Sequence, residues 1–379
     1  MNFELTQEQK MIKDMTQKFA AEELAKDSVK RDIEKIWPKE QISKMADLGL
    51  LGIMVDSEWG GNNMDAISYC IAMEEIAKVD ASAAVVMSVN NSLVCYIFEK
   101  YANNEQKERY LIPLAKGSKL GCFSLSEPQS GSDASNMNVY AKEDGDDFII
   151  SGTKNWVTNG INSDIIMLFC LTEKGVGHKG ISCFIVDKET EGVSVGKPEE
   201  KLGIRSSDTC EIYFDQARVS RKNLIGSLGD GFKIALSTLD GGRIGIASQA
   251  LGIAQASLEN SIKYSKEREQ FGRPIASQQA IQFKLADMAM EIEAARMLTH
   301  KAAWKKDNKK DFSASASMAK VYSSEVAMRA STQCVQIHGG YGYIKETGVE
   351  RLMRDAKITQ IYEGTSEIQR VVIARDLLK

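Results

Sequence analysis

The chain has 379 residues, of which 43% are hydrophobic and 26% charged, and a chain of this length is expected to form two or three domains. The net charge of −4 provides no basic surface of the kind that binds nucleic acid or anionic membranes. The seven cysteines include no C-x-x-C pair and the three histidines are far apart, so neither a zinc site nor a disulfide framework is predicted, and a reducing compartment is favoured.

The first third of the chain has the hydrophobic period of amphipathic helices. The start is polar and shows no signal or transit peptide, and no apolar run reaches the length of a membrane span. We therefore predict an N-terminal helical domain over residues 1–118. The predicted helices cover residues 1–35, 42–50, 65–79, 81–100 and 104–116.

Short apolar runs separated by turn residues replace the helical period after residue 118. Runs of this length and composition are typical of β-strands, and their number predicts a small antiparallel barrel or sandwich over about 120–225. We assign residues 119–228 to a middle β-domain. The predicted strands cover residues 122–126, 148–152, 165–170, 181–186 and 210–214.

From Gly231 the helical period returns in four long patterns. Alpha, then beta, then alpha is the predicted organisation, and residues 229–379 form its C-terminal helical bundle domain. The predicted helices cover residues 231–265, 277–306, 312–338 and 366–377.

A break between two helical patterns near the C-terminus carries the strongest candidate for a catalytic group. Glu363 precedes Gly364, which breaks helices, and Thr365 can cap the helix that follows. A carboxylate on a short loop with apolar neighbours is partly desolvated, and desolvation makes it a stronger base. From these residues alone, a surface glutamate in a turn remains the alternative.

Two segments of the predicted β-domain offer polar groups to a flat ligand. Residues 125–133 read Leu-Ser-Glu-Pro-Gln-Ser-Gly-Ser-Asp, and such a loop suits a phosphate or the polar edge of a heterocycle because it is rich in hydroxyls and free backbone N–H groups. In a strand, Trp156 and Thr158 point to the same face, which places an indole beside a hydroxyl. A strand-ending turn and a core tryptophan remain the alternatives.

Glycines and arginines in the C-terminal patterns mark three further candidates. Arg243 follows Gly241 and Gly242 inside a helix, where glycine is unfavourable unless a ligand or another helix approaches closely. Arg268 can pair with a phosphate or form a surface salt bridge. Residues 336–342, Gln-Ile-His-Gly-Gly-Tyr-Gly, allow close approach of a ligand, but a helix C-cap explains them equally well.

Taken together and in this order, these stretches resemble the acyl-CoA dehydrogenase family over the whole chain, and the similarity is greatest to its short-chain, butyryl-CoA branch. The resemblance implies an N-terminal helical domain, a middle antiparallel β-barrel or sandwich and a C-terminal four-helix bundle. FAD would bind between them in a homotetramer built as a dimer of dimers. The stretches that carry the resemblance are Leu125–Asp133, Trp156–Thr158, Asp240–Arg243, Arg268–Gly272, Gln336–Gly340 and Tyr362–Gln369.

The resemblance also implies roles for individual residues. Glu363 corresponds to the catalytic base, and Gly242, near which some relatives carry the base, is not acidic. The implied substrate-binding residues are Ser132, Asp240, Gly241, Gly242, Arg243 and Gly364. The implied FAD-binding residues are Phe123, Leu125, Ser126, Ser132, Trp156, Thr158, Arg268, Phe271, Gln279, Gln336, Gly339, Gly340, Thr365 and Glu367.

The implied reaction converts butyryl-CoA to crotonyl-CoA: Glu363 removes the α proton, flavin N5 accepts the β hydride, and an electron-transferring flavoprotein takes the electrons. A branched substrate, isobutyryl- or 2-methylbutyryl-CoA, and the same fold run as an enoyl-CoA reductase remain alternatives. Glutaryl-CoA is disfavoured, since residues 83–86 hold no cation for its distal carboxylate. The expected location is the cytoplasm for a bacterial source and the mitochondrial matrix for a processed eukaryotic protein.

Two other classes also remain open. A catalytically silent binding protein is disfavoured because Glu363, Arg243, Trp156 and Thr158 are all present. An acyl-CoA oxidase would differ only in how its reduced flavin reacts with oxygen.

Overall fold

The structure is a computed structural model and describes residues 4–379. Its first part is helical, as predicted, although residues 1–3 of the first predicted helix lie outside the described residues. Thr6 and Gln9 form a capping box that begins the first helix. The helices are α1 Gln7–Phe19, α2 Ser28–Glu34, α3 Lys39–Asp47, α4 Ala66–Val79, α5 Ala81–Ser88, α6 Tyr96–Tyr101, α7 Asn104–Gln106 and α8 Ile112–Ala115.

The run from α5 to α6 is the most apolar helical segment. A stretch of π-helix, Val89–Cys95, joins α5 to α6, so Ala81–Tyr101 is continuous and long enough to cross a membrane by length and composition. However, 94% of its most apolar window is buried among other elements, as in the core helix of a globular protein. A single helix of this kind is weak evidence for a membrane span.

The middle part is a sheet whose strand order is β6-β7-β3-β2-β4-β5-β8, with β1 paired to β4. Alternate side chains of β4 enter two different cores, with Ile166 and Leu168 inside the sheet domain and Met167 and Phe169 against the helices. The strands are β1 Gly121–Ser124, β2 Tyr140–Asp144, β3 Asp147–Thr158, β4 Ile165–Leu171, β5 Ile181–Asp187, β6 Val193–Val195, β7 Thr209–Ser220 and β8 Leu224–Ile225.

A middle β-domain is therefore confirmed, but a closed antiparallel barrel is not. In residues 4–379 no pairing joins the two ends of the strand order. Moreover, β1 and β2 both pair with β4 in parallel. Parallel pairing requires a long connection between strands, and local alternation cannot reveal it. The segments that became β2, β6 and β8 were also not among the predicted strands.

The C-terminal part is helical, as predicted, and α9 lies at its centre, packed along α11 and along α4 of the first domain. A short hairpin of β9 Glu269–Gln270 and β10 Arg273–Pro274 separates α9 from α10. The helix α12 was not predicted. The helices are α9 Gly231–Glu267, α10 Gln279–Asp307, α11 Ser313–His338, α12 Val349–Thr359 and α13 Ser366–Leu377.

Candidate active site

The turn between α12 and α13 holds Glu363 in an unusual backbone conformation. Glu363 has φ of +52° and Gly364 has φ of +93°, and the first of these values is unfavourable for a residue with a side chain. The Gln369 amide Nε2 donates to the carbonyl oxygens of Glu363, at 3.2 Å, and Gly364, at 2.9 Å. The Thr365 hydroxyl caps α13 by accepting from the Ile368 N–H at 3.3 Å. Contacts on both sides of the turn thus maintain the strained residue.

The carboxylate of Glu363 points into the protein interior. Its Oε2 is buried and has no hydrogen-bond partner in residues 4–379. Burial raises the pKa of Glu363 to about 7, although the positive charges of Lys320 and Arg243 act in the opposite direction. A carboxylate with a pKa near neutrality is a base matched to proton abstraction at physiological pH.

Gly242 makes room for this carboxylate. A Cβ on Gly242 would overlap Glu363 Oε2 and would lie only 2.8 Å from Leu93 Cδ2. Glycine inside a helix normally destabilises it, and here the close approach of the carboxylate explains its presence. The position of Gly242 therefore shows that the Glu363 carboxylate lies directly against α9.

The neighbouring turn of α9 forms a partly buried ion pair. Arg243 Nη1 donates to Asp240 Oδ1 at 2.6 Å and to Ser317 Oγ at 3.3 Å, and the Ser313 hydroxyl donates to the same Asp240 oxygen at 2.8 Å. Burial lowers the pKa of Arg243, while Asp240 raises it. The structure therefore brings Asp240, Gly242 and Arg243 together with Glu363.

The hydroxyls of Tyr362, Tyr69 and Ser88 and the amide of Gln249 also lie near this turn of α9. The Tyr362 hydroxyl donates to Gln249 Oε1. The Tyr69 hydroxyl donates to Ser88 Oγ at 3.1 Å, and a Cβ on Gly245 would lie only 2.5 Å from the first oxygen and 2.7 Å from the second. The sequence patterns did not single out Tyr69 or Ser88, which belong to α4 and α5 and read as core positions.

One donor in the turn is free for a ligand. The backbone N–H of Glu363 donates to no group in the described part of the chain. The carbonyl oxygens of Glu363 and Gly364, by contrast, both accept from the Gln369 amide. A free N–H beside a buried carboxylate places a hydrogen-bond donor and a base at one point.

The loop after β1 and the end of β3 are tied together by a buried ion pair. Lys154 Nζ donates to Glu127 Oε1 and to the Leu125 carbonyl, both at 2.8 Å. Glu127 also accepts from the backbone N–H groups of Asn138, at 2.6 Å, and Val139, at 3.1 Å. The Lys154–Glu127 pair thus fixes the 123–132 loop next to the strand that carries Trp156 and Thr158.

Trp156 does not occupy a regular strand position. It has φ of +59°, and the register of β3 against β7 shifts between Lys154 and Val157. This bulge interrupts the regular alternation of β3 at Trp156, and the expectation that Trp156 and Thr158 share one face stays a prediction. The indole is 58% exposed, which excludes the core-tryptophan alternative, and Thr158 is half-buried.

A cleft of about 480 Å³ lies at the junction of α9 and α11. Arg268 lines it, makes no ion pair in residues 4–379, and has its guanidinium 5.8 Å from the centre of the Tyr341 ring. Gly339 and Gly340 also line it, and a Cβ on either would meet nothing within 4 Å. A free cation beside open backbone suits a phosphate-containing ligand.

The remaining predicted cofactor residues lie elsewhere. Phe271 is 94% exposed at the tip of the β9–β10 hairpin, and Gln279 and Gln336 are exposed and do not line the cleft. Thr365 and Glu367 line a separate cleft of about 250 Å³. Within a single chain the structure does not bring these five residues together.

Models of known families match the chain in three consecutive segments. The model described as "Acyl-CoA dehydrogenase, N-terminal domain" matches residues 6–118. The "middle domain" model matches residues 122–217, and the "C-terminal domain" model matches residues 229–378.

Curated proteins and solved structures match the chain over its full length. The "Short-chain specific acyl-CoA dehydrogenase, mitochondrial" of Rattus norvegicus is 48% identical over 376 residues, which are 99% of this chain and 91% of that protein. The "Acyl-CoA dehydrogenase, short-chain specific" of Clostridium acetobutylicum is 44% identical over 379 residues and all of both chains. The structure of butyryl-CoA dehydrogenase from Megasphaera elsdenii has a TM-score of 0.99 and 45% identity, with 100% of both chains covered.

A second solved structure matches equally well. A chain from the structure described as "Electron transferring flavoprotein of Acidaminococcus fermentans: Towards a mechanism of flavin-based electron bifurcation" has a TM-score of 0.99 and 47% identity, again over 100% of both chains.

Proposed function

The chain belongs to the acyl-CoA dehydrogenase family of FAD-dependent oxidoreductases, and we propose that it converts butyryl-CoA to crotonyl-CoA with Glu363 as the base. The observation that carries this proposal is the Glu363 carboxylate, which is buried without a partner over Gly242, beside its own free backbone N–H. The short-chain substrate is supported by relatives whose names specify short-chain or butyryl-CoA substrates.

The residues of this chain fit FAD. The exposed indole of Trp156 and the half-buried hydroxyl of Thr158 offer a flat surface and a donor to a heterocycle. Arg268, Gly339 and Gly340 offer a free cation and open backbone to a diphosphate. We propose that Phe123, Leu125, Ser126, Ser132, Phe271, Gln279, Gln336, Thr365 and Glu367 complete the site, the more scattered of them from a neighbouring subunit.

The two groups of the turn act on different atoms of the thioester. The Glu363 N–H donates to the carbonyl oxygen, on which negative charge grows as the α proton leaves, and one good donor of this kind stabilises a transition state by about 3–4 kcal/mol. The Glu363 carboxylate accepts the α proton and holds it at the carboxyl group. FAD, when bound, supplies the acceptor for the β hydride.

Substrate binding is assigned to the residues around this turn. Asp240, Gly241 and Arg243 belong to the same turn of α9 as Gly242, and Gly364 directly follows Glu363 in the chain. When an acyl chain fills the space beside Glu363, water is excluded, and exclusion of water strengthens the carboxylate as a base further.

The assembly and the electron acceptor are also proposals. Large apolar side chains, Phe283 and Met290, stand exposed on α10, and Phe271 stands exposed on the hairpin, as expected of surfaces that another subunit covers. These surfaces support a homotetramer. An electron-transferring flavoprotein is supported as the acceptor by the similarity to the Acidaminococcus fermentans structure. We assign the enzyme to the cytoplasm for a bacterial source.

Replacement of the base tests the proposal. Glu363→Gln keeps the shape and the N–H but cannot accept the proton, so the yellow holoenzyme should bind butyryl-CoA and show almost no anaerobic flavin bleaching. Glu346→Gln, which changes an exposed glutamate of the same domain, is the matched control and should bleach at the wild-type rate. Wild-type bleaching in Glu363→Gln would place the base elsewhere.

A panel of thioesters tests the substrate class. Anaerobic bleaching of the wild-type flavin should be fastest with butyryl-CoA and should fall as the acyl chain lengthens. Faster bleaching with isobutyryl- or 2-methylbutyryl-CoA would assign the enzyme to branched substrates instead.

Substitution of Arg268 tests the cofactor assignment. Arg268→Ala removes the free cation of the cleft, so its FAD dissociation constant should rise, measured by fluorescence of released flavin. Arg375→Ala, an exposed arginine of α13, is the control. Unchanged FAD affinity in Arg268→Ala would contradict the assigned role.

A further inference from the structure

A buried lysine beside the catalytic turn is not explained by substrate or cofactor binding. Lys320 lies on α11 and its side chain is fully buried, yet in residues 4–379 it forms no ion pair with any carboxylate. Its Nζ donates to the Gly364 carbonyl at 2.7 Å. Burial of an ammonium group without a direct counter-ion is unfavourable, so its presence requires a specific reason.

The Gly364 carbonyl is a point where two donors meet. Lys320 Nζ and Gln369 Nε2 both donate to it, and Gln369 also holds the Glu363 carbonyl. These contacts fix the two consecutive positive φ values of Glu363 and Gly364. Lys320 therefore acts on the backbone that aims both the Glu363 N–H and its carboxylate.

Charge provides a second link between Lys320 and the base. The charged groups that face Glu363 are Arg243 of α9 and Lys320 of α11, and the phenols of Tyr69 and Tyr362 complete the titratable groups around it. Arg243 is already paired with Asp240 at 2.6 Å. Lys320 has no such partner, although it also feels the more exposed Glu367, so its charge is available to Glu363.

We propose that Lys320 is a positioning residue for the reaction, which holds the Glu363–Gly364 turn and supplies the buried positive charge that keeps Glu363 ionised when substrate excludes water. This role rests on the proposed function, since it concerns the same base. Lys320 transfers no proton: the α proton moves to the Glu363 carboxylate alone. Burial lowers the pKa of Lys320 to about 7 and raises the pKa of Glu363 to about 7, and each group opposes this effect of burial on the other by supporting its charge.

Two variants of the holoenzyme separate the charge from the backbone contact. Lys320→Met keeps the length of the side chain and removes both the charge and the donor. Gln369→Met removes donors to the same carbonyl and leaves the charge in place. Both should lose rate in anaerobic flavin reduction by butyryl-CoA. Only Lys320→Met should move the acidic limb of the pH profile, upward by about one unit or more, as expected when an opposite charge near a carboxylate is removed.

An infrared measurement makes the test independent of substrate. The protonated carboxyl band of Glu363, isolated by subtracting the Glu363→Gln spectrum, should disappear at a higher pH in Lys320→Met than in the wild type. Lys320→Arg keeps the charge and should titrate with the wild type. If Lys320→Met does not yield folded protein, Lys320→Gln, which is also neutral, replaces it.

The outcomes are distinct. An unshifted Glu363 titration in the neutral variants would overturn the proposal, and so would an equal shift in Gln369→Met, since geometry alone would then explain it. A wild-type enzyme that leaves butyryl-CoA unoxidised would overturn the proposed function instead, and the infrared titration would still decide the role of Lys320.

Discussion

Two lysines of this chain are fully buried, Lys154 in the sheet domain and Lys320 in the C-terminal helices, and they are held in opposite ways. Lys154 has a direct partner, Glu127, at 2.8 Å, and that carboxylate accepts further backbone N–H groups. Lys320 has one carbonyl as its partner and no ion pair in residues 4–379. Burial lowers the pKa of both ammonium groups.

The difference separates a structural charge from a functional one. Hydrogen bonds satisfy the Lys154–Glu127 pair, so its field outside the pair is small and its effect is to tie one loop to one strand. The charge of Lys320 is left uncompensated at short range, and the group that benefits is Glu363. Burial of a lysine is therefore not in itself a sign of function, whereas burial without a direct counter-ion, beside a base with a raised pKa, points to function.

Breaking the structural pair should produce the largest effect. Lys154→Met leaves the Glu127 carboxylate buried without its cation, and loss of one member of such a pair destabilises a protein by about 3–5 kcal/mol. The urea midpoint of the holoenzyme should fall accordingly. In the double variant Lys154→Met/Glu127→Gln no buried charge is left unpaired, so part of the loss should be regained. A double variant as unstable as the sum of both single variants would show that the two side chains do not act as a pair.

Crowding the base should give the next largest effect, on rate rather than stability. In Gly242→Ala the new Cβ would overlap Glu363 Oε2, and displacement of a catalytic group by about 1 Å can lower the rate on the order of 10²-fold. Lys233→Ala, at an exposed position of the same helix outside the site, is the control. Both variants gain helix propensity, so only the first should lose flavin reduction while its urea midpoint holds.

The pH dependence of the wild type should be a smaller effect with a defined sign. Since the pKa of Glu363 is raised to about 7, the ionised base is lost as pH falls, and kcat/KM should drop about tenfold for each unit below that value. Stability moves in the opposite direction. The folded state keeps the Glu363 proton between the ordinary carboxyl pKa and about 7, so this residue contributes less to stability as pH rises through that window. A flat profile of kcat/KM between pH 5 and pH 8 would show that Glu363 is not the titrating base.

Local sequence predicted the parts of the site that lie close together along the chain. Gly364 marked the break before α13, and Gly242 marked a close approach to α9, because a helix-breaking or costly glycine is visible in the sequence itself. The order of the three parts followed from the change of hydrophobic period. The hydrophobic period did not predict which segment approaches Gly242. The structure identifies it as the turn of Glu363, 121 residues further along the chain.

What local patterns could not predict depends on long-range contacts. Lys320 reaches a carbonyl 44 residues away, and within the pattern Ala-Ser-Met-Ala-Lys it resembles any polar residue of a helix. Glu127 and Lys154 pair across 27 residues, and the bulge at Trp156 depends on the register with β7. The sequence pattern did not contain enough information to predict a β-barrel. Alternation indicates which segments are strands, but it does not show which of them pair in parallel.

The smallest effect is expected for an ion pair at the surface. Comparing it with the stability loss in Lys154→Met tests whether burial causes that loss. Arg218 contacts two carboxylates, Asp144 at 2.7 Å and Asp147 at 3.0 Å, where Lys154 contacts only one. Its side chain is 56% exposed, so water and salt screen both contacts and long side chains lose entropy in making them. Arg218→Ala should leave the urea midpoint within error of the wild type at low and at high salt. If instead its loss approached that of Lys154→Met, the number of carboxylate contacts and not their burial would govern stability, and burial would not explain why Lys154 and Lys320 differ.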